Sequence, residues 1–225
     1  SIARARREAL LLLRPAKVLA PGDYRAWLNP AALADLVGMM NWGGFSASAL
    51  MSGHSPLARL KTDSDRFHER VCVCDDLAGA GVPQFQSDGF ERPGRLDLID
   101  GGRFAAALVS PRSAREFSLP DTGATAHEVA QALRLAGGDL ADDDAMAALG
   151  TGVAVSNFWY LNWSDRAAGR LTGMTRFASL WIENGEPVAP LSVMRFDDSL
   201  FRLLGTQLEA LGRSVHRIPD TQTYD

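Results

Sequence analysis

Apolar and polar positions alternate most regularly in residues 156–205. Aromatic and β-branched side chains recur there among Thr, Ser, Asn and Arg, a composition that favours β-strands. Asn184-Gly185 separates two apolar runs and predicts a tight hairpin, because both residues tolerate a positive φ. Residues 177–182 show two alternating faces, as a strand with an apolar layer on each side would. The predicted sheet is therefore centred on this part of the chain.

Apolar residues spaced three and four apart predict several short helices and one longer helix. Asn29-Pro30 and Ser110-Pro111 each place a capping residue before a proline, which is the usual start of a helix. The longest predicted helix covers residues 199–211, with a stripe of leucines on one face and Asp197 as its N-cap. The other predicted helices are residues 3–13, 46–51, 111–117 and 141–149.

The remaining strand signals lie on both sides of these helices. They are residues 17–28, 67–74, a hairpin of residues 95–99 and 103–109, and residues 214–218. Together the patterns predict an α+β fold. It has a mainly antiparallel sheet with hairpins, packed by several short helices and one longer C-terminal helix, and residues 1–225 form a single domain.

Composition narrows the classes of function. Among 225 residues, 23 Lys and Arg stand against 27 Asp and Glu, with no basic block, and this disfavours direct binding to nucleic acid. The sequence contains no apolar run of about 18 residues, so no membrane span is predicted. Cys72 and Cys74 are too few for a secreted disulfide framework, and a reduced, cytoplasmic protein is expected.

The sequence shows no catalytic or metal motif. The four histidines are far apart along the chain, whereas a zinc hydrolase needs two on one face with a nearby carboxylate. No metal site and no catalytic residue are therefore predicted within this chain. Cys72 and Cys74 lie in an apolar-alternating strand, where thiols are usually inert, but His68 shares their face and keeps a cysteine hydrolase open as an alternative.

Residues 172–176, with Asn162, are the candidate binding residues: Thr172, Gly173, Met174, Thr175 and Arg176. Glycine between the two threonines leaves room for another backbone, and arginine binds carboxylates through two parallel N–H donors. The functional interpretation is a strand edge at which an extended peptide or partner docks. A β-bulge with a buried arginine pair is the structural alternative, which spacing alone favours.

Several segments resemble the TldD/PmbA family, whose members are also described as modulators of DNA gyrase. The resemblance is carried by residues 157–165, 172–178, 181–185 and 193–200, with further matches at 81–83, 88–89, 98–102 and 110–115. It spans nearly the whole chain. Members of the family are about twice as long, so this chain resembles their C-terminal half.

The resemblance implies cytosolic peptide processing by a two-subunit assembly. A TldD-like subunit carries a His-Glu-x-x-x-His zinc site, and a PmbA- or TldE-like subunit lacks it and helps to enclose an extended peptide. This sequence contains no such motif and is similar to the PmbA-like subunit. The resemblance therefore implies no cofactor in this chain, with zinc held by a TldD-like partner.

The expected partners are that TldD-like subunit, in a heterodimer, or a second copy, in a homodimer, together with a peptide substrate. Neither nucleic acid nor a membrane is expected as a direct partner. The alternative function is a metal-free peptide- or partner-binding regulatory protein of the gyrase-modulator type, with no hydrolytic activity.

Overall fold

The computed structural model describes residue 6 and residues 9–218 of the chain. The fold is α+β, as predicted, with mainly antiparallel sheets and short helices. The helices are α1 (residues 9–12), α2 (Pro30–Gly38), α3 (Ala47–Met51), α4 (Ala58–Lys61), α5 (Leu77–Ala80), α6 (Pro111–Phe117) and α7 (Ala145–Leu149). The strands are β1 (Ala26–Leu28), β2 (Val73–Asp75), β3 (Leu96–Asp100), β4 (Arg103–Phe104), β5 (Leu133–Leu135), β6 (Gly152–Val155), β7 (Asn157–Asp165), β8 (Arg170–Arg176), β9 (Leu180–Glu183), β10 (Glu186–Pro190) and β11 (Arg195–Ser199).

The strands described form three sheets, with the orders β1-β6-β9-β10, β4-β3-β2-β5 and β11-β8-β7. Only β1 and β6 run parallel within them, and the other neighbours are antiparallel. The largest buried cluster includes Leu36 and Phe45 from the first part of the chain and Leu171 and Leu200 from the last part. Residues distant in sequence thus share one core, which supports the β11-β8-β7 sheet from one side.

Local sequence signals place several elements correctly. The Ser110 hydroxyl accepts a hydrogen bond from the Ser113 N–H and begins α6 as predicted. Asn184 (φ 50°) and Gly185 (φ 81°) form the hairpin turn between β9 and β10. Asn29 precedes α2, but its side chain makes no capping hydrogen bond, so that part of the prediction is wrong.

The long C-terminal helix predicted for residues 199–211 is wrong. Strand β11 continues to Ser199 and includes Asp197, which therefore caps no helix, and only residues 200–206 are helical. Beyond them the chain bonds to a distant segment: the Gly138 N–H donates to the Gly212 carbonyl (2.8 Å) and the Arg213 N–H to the Leu140 carbonyl (2.8 Å). These non-local bonds replace the helical bonds that the leucine spacing predicted.

The outer strand predictions are also too long. Of residues 67–74 only 73 and 74 lie in a strand, β2, which extends to Asp75. Before it, the Phe67 N–H donates to the Gly102 carbonyl (3.0 Å) and the His68 N–H to the Leu204 carbonyl (2.8 Å), so neighbouring residues bond to different segments. Residues 214–218 form no strand, and in residues 17–28 only β1 is a strand.

The first predicted helix lies partly outside the described residues. Residue 6 and residues 9–12 are helical, whereas the rest of the predicted span before residue 9 is not described. None of the helices that the structure does describe is long and apolar enough to cross a membrane.

A buried carboxylate joins the starts of α3 and α6. Glu128 is 2% exposed and accepts hydrogen bonds from the Ser46 hydroxyl (2.6 Å), the Ser48 N–H (2.9 Å) and both the N–H and the hydroxyl of Ser110 (2.9 Å each). Burial by itself would raise the pKa of Glu128, but hydrogen bonds led by Ser113 and Ser46 outweigh it and lower the pKa. The folded protein therefore stabilises the ionised form of Glu128.

We predict that Glu128→Gln lowers the free energy of unfolding by about 2–4 kcal/mol at pH 7, because its amide N–H₂ would face donors that need an acceptor. Since the pKa of Glu128 is lowered in the folded protein, its stabilising effect is present above the unfolded-state pKa of about 4.3 and is lost as the pH falls through the folded value. Urea unfolding at pH 7 and at pH 3 measures both effects.

The matched control is Glu116→Gln, which changes an exposed carboxylate on α6. It should alter stability by less than about 0.5 kcal/mol. An equal loss in the two variants at pH 7, or a Glu128→Gln deficit that does not shrink in acid, would contradict the structural role assigned to Glu128.

Candidate functional site

Alternate residues of β8 point into the core. Leu171, Gly173 and Thr175 are buried, as expected for every second residue of a strand. A Cβ at Gly173 would lie 2.8 Å from Leu161 Cδ2 and 2.8 Å from Phe196 Cε1. The room predicted beside Gly173 for another backbone is therefore filled by two side chains, and Gly173 has a packing role.

The other residues of β8 point to solvent. Thr172 and Arg176 are half-buried and Met174 is exposed, and all three share one face of the sheet. Asn162 of β7 is the direct cross-strand neighbour of Thr172 and lies on the same face. The structure thus brings four of the six candidate residues together on a solvent-facing surface and directs Gly173 and Thr175 inward.

The strand edge predicted at residues 172–176 is not an edge, because β8 is the central strand of its sheet. It pairs with β7 along residues 170–176 and with β11 along residues 170–174. Thr175 extends the pairing of β8 with the β11 side of the sheet. Its N–H donates to the Met194 carbonyl (2.8 Å), and its hydroxyl accepts from the Met194 N–H (3.0 Å). An added strand could pair only with β7 or β11.

The outer edge of β7 is partly closed by side chains. The Phe158 N–H donates to the Asp35 carboxylate (3.2 Å), and the Trp163 N–H donates to the Asn162 side-chain oxygen (2.8 Å). Burial raises the pKa of Asp35, although the bond from Phe158 opposes that rise. Two outward N–H groups are thus occupied, which is a common way to protect an edge strand.

The outer edge of β11 is open at two residues. Two hydrogen-bonded pairs at the ends of β11 show which of its residues face β8. They are Met194 with Thr175, and the Leu200 N–H with the Gly169 carbonyl (2.9 Å). By alternation, the backbone groups of Arg195 and Asp197 face away from the sheet. In the part of the chain that the structure describes, no other segment or side chain bonds to those N–H groups.

Arg195 and Asp197 also pair through their side chains on the solvent face. The Arg195 guanidinium donates to both carboxylate oxygens of Asp197 (3.0 and 3.2 Å). This bond is the main cause that lowers the pKa of Asp197. Asp197 therefore forms an exposed ion pair within β11 and does not cap a helix.

Arg176 lies among exposed aromatic rings. Its guanidinium carbon is 4.0 Å from the centroid of the Trp159 ring and 5.3 Å from that of Phe177, and Tyr160 packs edge-on against Trp159 at 5.6 Å. Tyr160 (φ 54°) and Phe177 (φ 57°) adopt the left-handed region, which is uncommon for bulky residues. We call Trp159, Tyr160, Arg176 and Phe177 the aromatic–arginine cluster.

The buried arginine pair predicted at Arg176 is not found among the described residues: Arg176 is half-buried and lies over aromatic rings instead. Of the cluster, only Arg176 was a candidate from the sequence. The pattern predicts only strand positions for the other three, although residues 158–160 are three successive aromatic residues and Phe177 directly follows Arg176. The missing information was which rings face solvent: Trp159, Tyr160 and Phe177 are 48%, 77% and 69% exposed.

The side chains present do not fit a zinc site. Over residues 9–218, no three His, Cys, Asp or Glu side chains come together as metal ligands. Cys74 is buried, and burial raises the pKa of its thiol, the opposite of what a nucleophile needs. The His68 ring accepts a hydrogen bond from the Arg70 N–H (3.2 Å), and within the described chain no hydrogen bond joins it to either cysteine.

The protein thus has an α+β fold in which one face of the β11-β8-β7 sheet packs on the core and the other faces solvent. Its described residues contain no metal-ligand cluster. The sequence profile described as "PmbA/TldA metallopeptidase C-terminal domain" matches residues 21–223. The chain therefore belongs to this family, and the predicted resemblance to the C-terminal half of TldD/PmbA proteins is confirmed. No significant match is found among curated proteins.

Three crystal structures show the same fold. A candidate modulator of DNA gyrase from Thermotoga maritima is 20% identical with a TM-score of 0.75, and the match covers 93% of this chain and 49% of that one. A second candidate modulator, from Bacteroides thetaiotaomicron, is 22% identical with a TM-score of 0.77 (93% and 46% covered). TldE from Thermococcus kodakarensis is 17% identical with a TM-score of 0.70 (91% and 48% covered). The chain thus spans about half the length of these proteins.

We predict that Gly173→Ala lowers the free energy of unfolding by about 1–3 kcal/mol, because the new methyl group would overlap Leu161 and Phe196. Gly38→Ala is the control, since a Cβ at Gly38 of α2 meets nothing within 4 Å. That change should raise stability by about 0.5–1 kcal/mol. Chemical unfolding compares the two, and a tolerated Gly173→Ala would show that the space beside Gly173 is available after all.

Tyr160→Gly should leave the free energy of unfolding unchanged or raise it by up to about 1 kcal/mol, because it removes the cost of a left-handed conformation. Ser164→Gly, at an exposed position of the same strand without a positive φ, should lower it by about 0.5–1 kcal/mol. Thermal unfolding at one pH compares them. Equal destabilisation would mean that Tyr160 is not strained.

Proposed function

We propose that this chain is the C-terminal part of the non-metal subunit of a zinc-dependent peptidase assembly, where it contacts an extended peptide. The metal would be held by a TldD-like subunit. The family is described as a metallopeptidase domain, and residue 6 and residues 9–218 contain no group of three side chains that could hold a metal, which supports a metal site outside them. A cytoplasmic location agrees with this role.

The observation that carries the peptide role is the open edge of β11. Arg195 and Asp197 present backbone N–H and C=O groups that an extended peptide would pair with by adding a strand. Main-chain pairing gives affinity with little dependence on the peptide's side chains, which suits a processing enzyme. Thr172 and Met174 are the cross-strand neighbours of Asp197 and Arg195 and would contact side chains of the peptide or partner, and Asn162 and Arg176 extend the same solvent face away from this edge.

The first test separates the metal-free subunit from a catalytic one. We expect the full-length protein to contain no zinc and to cleave no unstructured fluorogenic peptide, and a mixture with a TldD-like subunit to contain zinc and to cleave the peptide. Elemental analysis and the fluorescence assay measure both. Stoichiometric zinc in the protein alone would contradict the proposal, and so would a mixture in which the TldD-like subunit is equally active without this protein.

The second test addresses the edge of β11. Arg195→Pro removes an outward N–H that β8 does not use, whereas Arg195→Ala removes the same side chain and keeps the N–H. We expect Arg195→Pro to lower kcat/KM of the mixture at least about fivefold, the effect of about 1 kcal/mol of main-chain pairing, and Arg195→Ala to lower it less than twofold. Equal effects of the two substitutions would exclude strand addition at this edge.

A further inference from the structure

We propose that the aromatic–arginine cluster is a carboxylate-binding subsite that selects peptides with an acidic residue next to an apolar one. The inference rests on the proposed function only in taking the ligand to be a peptide. Two features of the cluster support it: an arginine without an ionic partner, and exposed rings on two sides of that arginine.

The Arg176 guanidinium has no acceptor in the part of the chain that the structure describes. The ion pairs found there involve other arginines, and the hydrogen bonds at Arg176 from Ser156 and Ser179 go to its carbonyl oxygen. The N–H groups of Arg176 therefore remain available. Arg176 differs from the other described arginines because two exposed aromatic rings lie within cation–π distance of its guanidinium.

Stacking holds this arginine without using its donors. The guanidinium carbon lies over the Trp159 ring, 4.0 Å from its centroid, which is a cation–π distance. The N–H donors of a guanidinium lie in its plane, so a stacked arginine can still bind a carboxylate through two parallel hydrogen bonds. Side-chain freedom is already restricted before binding, which reduces the entropic cost of the complex.

The rings indicate where the carboxylate sits in the ligand. Trp159 and Phe177 both lie near Arg176, at 4.0 and 5.3 Å, and Tyr160 extends the apolar surface beyond Trp159. A ligand that covers exposed rings and also reaches the guanidinium needs apolar groups beside its carboxylate. We therefore assign the carboxylate to an Asp or Glu side chain within the peptide rather than to its C-terminus.

The backbone at Tyr160 and Phe177 agrees with a binding role. Both residues keep a positive φ although their rings are mostly exposed and gain little from burial. Strained conformations cost stability and concentrate at binding and active sites. The rings are thus held in place at a cost to stability, and the cluster does not overlap the open edge, since Trp159 lies on β7, the strand opposite β11.

The test is direct binding of fluorescent peptides to the full-length protein without any partner. One peptide carries Glu beside Phe, the second has Gln in place of Glu, and both have amidated C-termini. We expect the wild-type protein to bind the Glu peptide about tenfold more tightly than the Gln peptide, and Arg176→Gln to bind the two equally, because the preference depends on one charge-assisted pair. Arg176→Lys should keep part of the preference, since it keeps the charge but loses the planar fork.

Arg170→Gln is the matched control, because Arg170 lies on the same strand and the same face but stacks on no ring within the described chain. It should leave the preference within about twofold of wild type. A Glu preference that survives Arg176→Gln would overturn the assignment. So would a Gln peptide with a free C-terminus that binds as tightly as the Glu peptide, since that would place the carboxylate at the terminus.

The outcomes also separate this inference from the proposed function. If the two peptides bind equally well to the wild-type protein and are cleaved equally by the mixture with a TldD-like subunit, the subsite is wrong and the peptidase role stands. If neither peptide binds and the mixture cleaves nothing, both are wrong.

Discussion

Strand β8 is hydrogen-bonded along both sides, and this pairing determines the rest of the surface. With neighbours on each side, the strand cannot rotate, so alternate residues are committed to the core or to solvent. Gly173 is then required by the packing of Leu161 and Phe196, while Thr172 and Arg176 are held in the open. The same pairing moves the available edge of the sheet from β8, where the sequence placed it, to β11. The same sequence, a glycine between two threonines, can occur in a central strand or in an edge strand. Only the neighbouring strands in the folded protein distinguish the two cases.

The parts of the fold that local chemistry determines were predictable. Ser110 followed by proline, and Asn184-Gly185 between apolar runs, need only their neighbours in sequence to form a helix start and a hairpin. The stripe of leucines after Ser199 misled because residues 211–213 bond to the backbone of residues 138–140, which no local pattern indicates. The α+β class and the family resemblance followed from the sequence, whereas the spacing around Arg176 favoured a buried pair that the structure does not show. Which rings surround Arg176 did not follow from the sequence, since exposure depends on how β7 bulges between Trp159 and Asn162.

In the proposed role, the sheet would separate two kinds of recognition. The edge of β11 offers main-chain groups, which are indifferent to sequence, and the aromatic–arginine cluster on the opposite side of the face offers charge and shape, which are selective. An arrangement of this kind lets affinity and selectivity change independently, since a substitution at one location leaves the backbone of the other intact. The positive φ angles of Tyr160 and Phe177 lie in the part proposed to be selective, where a fixed ring position would matter most.

The unequal edges of the sheet also limit how copies of the protein can assemble. Asp35 and Asn162 occupy N–H groups along β7, so β7 of one molecule is a poor partner for β11 of the next. That head-to-tail contact is the one that repeats without end and builds fibres. The contact left open joins β11 to β11 about a two-fold axis, and it is complete after two copies. Two hydrogen bonds from the backbone of β7 to side-chain oxygens thus favour a closed pair over an open chain in any self-association through this sheet.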